Sequence, residues 1–265
     1  MGSNKYALRF IALSYLALLL AIPVGLVLYR TFEHGIAAPI DSLTSADAAH
    51  AFWLTLEITA IVVPLNTIFG VMTALLLARR KLHGRAFLNG LVDLPFAVSP
   101  VVVGLALLLV YGRTGWFGGW LAENGIRVIF SMPGMVLATI FVSLPFVVRE
   151  TVPVLEELGT EQEEAAATLG ASSWQTFWRV TLPAIRWGVG YGVVLTTARA
   201  LGEFGAVSVV SGRLAGQTET LTLRVQNEFE RFDLTGAYAA SALLAVMAVA
   251  VLLVMTTLER RRRAT

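Results

Sequence analysis

The chain has 265 residues, 56% hydrophobic and only 14% charged, with a mean hydropathy of +0.72, which excludes an ordinary water-soluble domain. A net charge of +2 and a pI near 9.1 do not make it a nucleic-acid binder, because the basic residues gather at the ends of apolar runs rather than along one face. Without cysteine it has no disulfide, thiolate metal site or thiol nucleophile.

The composition predicts an all-α integral membrane protein, with apolar runs of the length needed to cross a hydrocarbon core of about 30 Å. The first run, 10–29, is too long for a signal-peptide core and lacks a small-x-small cleavage site, so it reads as an uncleaved span. The second covers 53–78 and is followed by the basic cluster Arg79, Arg80, Lys81 and Arg85. The third, 91–111, carries Asp93, Leu94 and Pro95 near its start and is interrupted by Pro100. The remaining predicted spans are 132–148, 187–210 and 238–258. His34, His50 and His83 fall in predicted loops at no ligand spacing, so no metal site is expected.

Basic residues set the expected orientation. With the amino terminus inside, thirteen lie on the inner side: Lys5, Arg9, the cluster after span two, Arg149, Arg179, Arg186 and Arg260 to Arg263. Six lie outside, including Arg113, Arg213 and Arg231. Six spans with both termini cytoplasmic fit this bias, and they put the polar loop 150–186 in the cytoplasm.

That loop reads as two short helices with a hinge. Thr160 with Glu163, and Ser172 with Gln175, have capping-box spacing. Gly170 falls between them, where a helix ends in a left-handed residue. Pro183 marks the start of the next span. Ala165, Ala166 and Leu169 form a small-residue patch beside Glu161 and Glu164, suited to close contact with a partner. Glu164, Ala165, Ala166 and Gly170, followed after nine more residues by Val180, Thr181, Leu182 and Pro183, resemble the EAA signature of ABC-importer permeases, with Val180 where isoleucine is commoner. The resemblance implies a coupling helix that docks in a groove on an ATPase subunit. No G-x-x-x-x-G-K-[ST] pattern occurs in the chain, so ATP work falls to that partner.

The fifth span places Arg199 and Glu203 in apolar surroundings, where a charge costs about 2.5–3.5 kcal/mol on insertion scales. Arg199 sits roughly 20 Å along its helix, past the middle of the core. Two readings stand: an ion pair four residues apart on one helix face, or an arginine that lines the path of an anion. Gly188, Gly190 and Gly192 predict close helix packing. Beyond this span Leu221, Val225, Phe229 and Phe232 predict an amphipathic helix lying on the membrane surface. It either covers the bundle or receives an external binding protein.

Four stretches, DLPFAVSPVVVG (93–104), FVSLPFVVRETVPV (141–154), the EAA-like loop and ARALGEFGAVSVVSG (198–212), resemble the W-type permease subunits of sulfate/thiosulfate ABC importers. The resemblance implies a single type I permease domain over 1–265 in the bacterial inner membrane. It also implies a heterodimer with a T-type permease, two ATPase subunits that bind ATP and Mg, and an external sulfate-binding protein; this chain itself would bind no cofactor. The rivals are a molybdate or tungstate permease and, in another class, a secondary anion carrier or channel.

Overall fold

The computed structural model describes residues 3–33, 35–80 and 83–264. His34 and Lys81 lie outside the described residues, as do the side chains of Lys5 and of Arg260 to Arg263. Among the described residues there are helices, turns and loops but no strand.

The first helix is continuous through α1 (Ser3–Leu16), a wider π turn (Ala17–Ala21) and α2 (Ile22–Phe32). An apolar 18-residue window of Leu8–Phe32 is 0% buried, and only the end of this helix is held to the rest of the chain, where the buried Thr31 Oγ1 donates to the Tyr238 carbonyl at 3.1 Å. There follow α3 (Ala37–Thr44), α4 (Ala46–Arg79), α5 (Arg85–Ala97), α6 (Pro100–Tyr111), α7 (Gly118–Glu123) and α8 (Met132–Leu158). The loop region holds α9 (Glu161–Thr168), α10 (Ser173–Thr176) and a π segment (Phe177–Thr181). After it come α11 (Leu182–Leu201), α12 (Gly205–Val210), α13 (Leu221–Glu230) and α14 (Leu234–Ala264). Among the described residues, four helices are long and apolar enough to cross a membrane, and the bent pair α5 and α6 makes a fifth if it counts as one span.

Two predicted spans are broken. The third bends by 109° between α5 and α6, because Ser99 precedes Pro100 and the residue before a proline is pushed out of helical geometry. The fifth stops at Leu201, and Gly202 to Phe204 separate it from the short α12. The two short helices that follow these breaks pack on one another. A Cβ on Gly104 would lie 2.7 Å from Val209 Cβ, and one on Gly205 would lie 2.8 Å from Pro100 Cβ.

The core is built around α8, held between α4 and α11. Gly70 and Gly192 both press on Val147, with 2.7 Å between the nearest atom and the place a Cβ would occupy. Gly188 meets the Glu150 carbonyl in the same way, whereas Gly190 faces open space, so two of the three glycines serve packing. Leu77, Val147, Leu155 and Ile185 form the core near loop 150–186, and Leu54, Met135, Val142 and Leu223 form the core at the far end. Arg149 Nε donates to Asp93 Oδ1 at 2.7 Å and ties α5 to α8.

The predicted amphipathic helix forms as α13, but its burial differs from the apolar stripe. Leu221 is buried, yet Phe229 and Phe232 are 60% and 88% exposed. Arg224 and Glu228 point inward instead, 2.9 Å apart, with Glu219 3.4 Å from the same guanidinium. Mutual pairing is what allows these charges to be buried. The helix therefore covers the bundle with Leu221, Leu223 and these paired charges inward. His50, expected in a loop, stands in the first turns of α4, with Nε2 3.1 Å from the Gln217 carbonyl.

Candidate functional site

α8 continues past its apolar part to Leu158, and Gly159 then turns the chain at φ 63°, ψ −163°, a conformation essentially confined to glycine. The next helix, α9, buries none of its residues. It ends in a Schellman motif: the Gly170 amide donates to the Ala167 carbonyl and the Ala171 amide to the Ala166 carbonyl, both at 3.0 Å. Gly170 takes the left-handed conformation this motif needs, at φ 84°. The predicted Ser172–Gln175 capping box forms, at 3.3 Å from the Gln175 amide to the Ser172 hydroxyl and 2.9 Å from the Ser172 amide to Gln175 Oε1.

The predicted Thr160–Glu163 box does not form. Thr160 Oγ1 donates to Glu164 Oε1 at 2.7 Å, and Glu163 is bound elsewhere. Its Oε1 accepts from Arg79 at 3.2 Å and from Thr181 Oγ1 at 2.9 Å, while Oε2 lies 3.0 Å from Arg79 Nε. A charge-assisted hydrogen bond within an ion pair is stronger than capping an amide that faces water. Arg79 also donates to the Leu155 carbonyl at 2.8 Å. The Arg79 guanidinium therefore joins the end of α4, the end of α8 and the start of α9, and the Glu163 carboxylate extends the junction to the π segment through Thr181. This junction was missed in the sequence, where Arg79 is one more basic residue flanking a span and Glu163 lies 84 positions away.

The junction carries a prediction. Glu163→Gln keeps the side chain's shape but removes its charge, and a bond to a charged group of this kind contributes about 1.5–3 kcal/mol. The variant is expected to reach the membrane normally yet transport roughly tenfold more slowly. Labelled-substrate uptake normalised to membrane-inserted protein measures this, and a normal rate would remove the junction from the coupling machinery.

The predicted loop residues separate into two groups. Glu164, Ala165 and Gly170 are exposed and Ala166 is half-buried, so together they form one projecting corner beside Leu169, which is 88% exposed. Leu182 is half-buried against the core near the loop, and Pro183 is exposed at the second position of α11. No chain break marks Pro183. The helix runs on from α10 through the π segment, whose wider turn falls where the proline ring would meet the carbonyl four residues back.

In the fifth predicted span, an Arg199 NH2 lies 2.9 Å from Glu203 Oε2. The two do not share a helix face, since Glu203 stands in the break after α11. Its Oε1 accepts the Ala206 amide at 2.8 Å and so helps start α12. The Glu203 side chain is 1% exposed and that of Arg199 is 32% exposed, so the carboxylate is enclosed and the guanidinium keeps an open side.

A helical membrane protein with a rigidly anchored, outward-projecting helix on a polar loop has the form of a transporter's membrane subunit. The chain belongs to the family of binding-protein-dependent transport system inner membrane components, which matches residues 66–264. It is a multi-pass permease component of such a system, and ATP hydrolysis lies with a partner. The sulfate transport system permease protein CysW of Synechocystis sp. is 52% identical over 97% of this chain and 93% of its own length. The sulfate transport system permease protein CysT of Escherichia coli (strain K12) is 36% identical over 94% of this chain and 90% of its own. A bacterial ABC transporter that imports the acidic polysaccharide alginate contains a chain of the same fold, with a TM-score of 0.80 at 19% identity, covering 97% of this chain and 95% of that one.

Proposed function

We propose that the chain is the W-type permease subunit of an ATP-driven sulfate/thiosulfate importer. It forms half of the translocation path beside a T-type permease, and it receives the stroke of two cytoplasmic ATPase subunits through α9. An external binding protein delivers the anion. The observation that carries this reading is the 52% identity to a CysW permease over 97% of the chain. The junction at Arg79 supports it physically, because a helix pinned to two spans can pass movement to both.

The cargo explains the need for a motor. A divalent anion entering against a potential of about 100 mV is opposed by roughly 4.6 kcal/mol, which passive permeation cannot overcome to concentrate it inside. Arg199, with its open side, is the proposed contact for the anion on its way, while Glu203 holds the guanidinium in place.

The test is labelled sulfate uptake in cells lacking only this chain, with and without its restoration, using molybdate and thiosulfate as competitors. Restoration of an ATP-dependent sulfate uptake that thiosulfate inhibits is expected. Loss of molybdate rather than sulfate accumulation would assign the chain to the other oxyanions, and uptake that survives ATP depletion would remove it from the ABC class.

A further inference from the structure

The break between α11 and α12 is made by side chains that take over two bonds of a helix. In an uninterrupted helix the Ala206 amide would donate to the Gly202 carbonyl, and the Glu203 carbonyl would accept from Val207. Here the Ala206 amide donates to Glu203 Oε1 at 2.8 Å, and the Glu203 carbonyl accepts from Thr222 Oγ1, also at 2.8 Å and 19 positions along the chain. The first substitute belongs to Glu203 itself. The second comes from α13.

Thr222 stands on a fixed platform. The Leu221 amide donates to Thr55 Oγ1 of α4 at 2.9 Å, and Leu221 and Leu223 on either side are 0% exposed. Thr222 has one hydroxyl proton, committed to Glu203, so the Thr220 hydroxyl 3.0 Å away is the donor between the two and fixes the rotor. The cavity that Glu203 shares with Thr55, Thr139, Thr220 and Thr222 is about 10 Å³, room for one water at most, so the carboxylate has no second seat on that side. Its Oε2 lies 2.9 Å from an Arg199 NH2. The frame of α4 and α13 thus reaches the guanidinium through the turn and its carboxylate.

We propose that Thr222 is a positioning residue for Arg199: its hydroxyl holds the break open, the break holds the Glu203 carboxylate, and the carboxylate sets where the guanidinium stands in the anion's path. This rests on Arg199 being the contact for the transported anion. Without the hydroxyl, the Glu203 carbonyl is left to find the Val207 amide. The helix then closes through the break and carries the carboxylate away from Arg199.

Thr222→Val keeps the branched shape and removes the donor, whereas Thr222→Ser keeps the donor. In the complete transporter Thr222→Val is expected to insert at a normal level and to slow labelled-sulfate uptake about tenfold, with Thr222→Ser within about twofold of normal. In the Arg199→Gln, Glu203→Gln background the same valine change is expected to add less than about twofold, because no guanidinium is left to aim. An equal loss in both backgrounds, a normal rate for Thr222→Val, or its failure to insert would overturn the proposal, the last by making Thr222 a residue of general stability. The turn is also read without any cargo. The chain has no cysteine, so Phe204→Cys, at a position 37% exposed, supplies its single thiol. In the purified transporter Thr222→Val is expected to change the labelling rate of that thiol at least about threefold, and Thr222→Ser to leave it as it was. An unchanged rate in the valine variant overturns the proposal whatever the cargo. Normal uptake by the Arg199→Gln, Glu203→Gln variant would instead sink the Arg199 reading, and a changed labelling rate would still uphold Thr222 as the residue that sets the turn and its carboxylate.

Discussion

Cells carrying Gly170→Asp are expected to insert the chain at near-normal levels and to lose sulfate uptake by more than about thirtyfold. Gly170 is the left-handed residue that closes α9, at φ 84°, where a side chain brings roughly 1–2 kcal/mol of backbone strain. No atom lies within 4 Å of the place its Cβ would occupy, so the harm is not a clash inside this chain. The added carboxylate meets the negative end of the α9 dipole at the projecting corner, which is an unfavourable position for an anion. Since α9 buries nothing, stability of the bundle has little stake in this residue, and the loss falls on docking with the ATPase. Gly170→Asn separates strain from charge. Asparagine tolerates the left-handed region and is neutral, so it should keep uptake within a few-fold of normal. Immunoblots of the membrane fraction beside uptake rates decide the matter, and an active aspartate variant would detach this corner from coupling.

The second large effect belongs to Arg199. Arg199→Gln leaves the Glu203 carboxylate enclosed without its cation, and breaking a buried pair from one side costs about 3–5 kcal/mol. Membrane levels of this single variant should therefore fall sharply whatever Arg199 does in transport. The double variant Arg199→Gln with Glu203→Gln removes both charges, leaving an isosteric amide at 203 and a shorter one at the half-open position 199, and its level should recover. Uptake then discriminates between the two roles. An arginine that meets the anion leaves the double variant well inserted but at least tenfold impaired, whereas an arginine needed only to neutralise Glu203 gives back normal uptake.

Much of the loop was legible because its signals are local. The Ser172–Gln175 box and the glycine stop at 170 each depend on a few consecutive residues, and both form as their spacing predicts. Thr160 and Glu163 have the same spacing and form no box, because Glu163 meets Arg79 and Thr181 across the fold, and that tertiary competition has no local trace. The broken spans mislead for a related reason. Hydropathy integrates over a window and passes smoothly through Ser99 and Gly202, while the backbone responds to Pro100 and to Glu203, whose carboxylate starts a new helix. On α13 the pattern of large apolar residues holds at Leu221 and fails toward the helix end, since a mutually satisfied set of Arg224, Glu219 and Glu228 could be buried in place of Phe229.

The π segment Phe177–Thr181 lies between the projecting corner of α9 and the helix that carries Arg199. Each residue of a regular helix advances the side chains by about 100°, so the one surplus residue in a wider turn offsets everything beyond it by nearly a third of a revolution. Gly188 and Gly192 press on α8 only in that offset phase. Loss of a single codon within 177–181 would leave every other residue of the chain unchanged and still turn the glycines away from Val147 and Glu150. The angular setting between the projecting corner and the Arg199 helix is thus stored at one turn, and an ancestral insertion or deletion there could reset it in a single step.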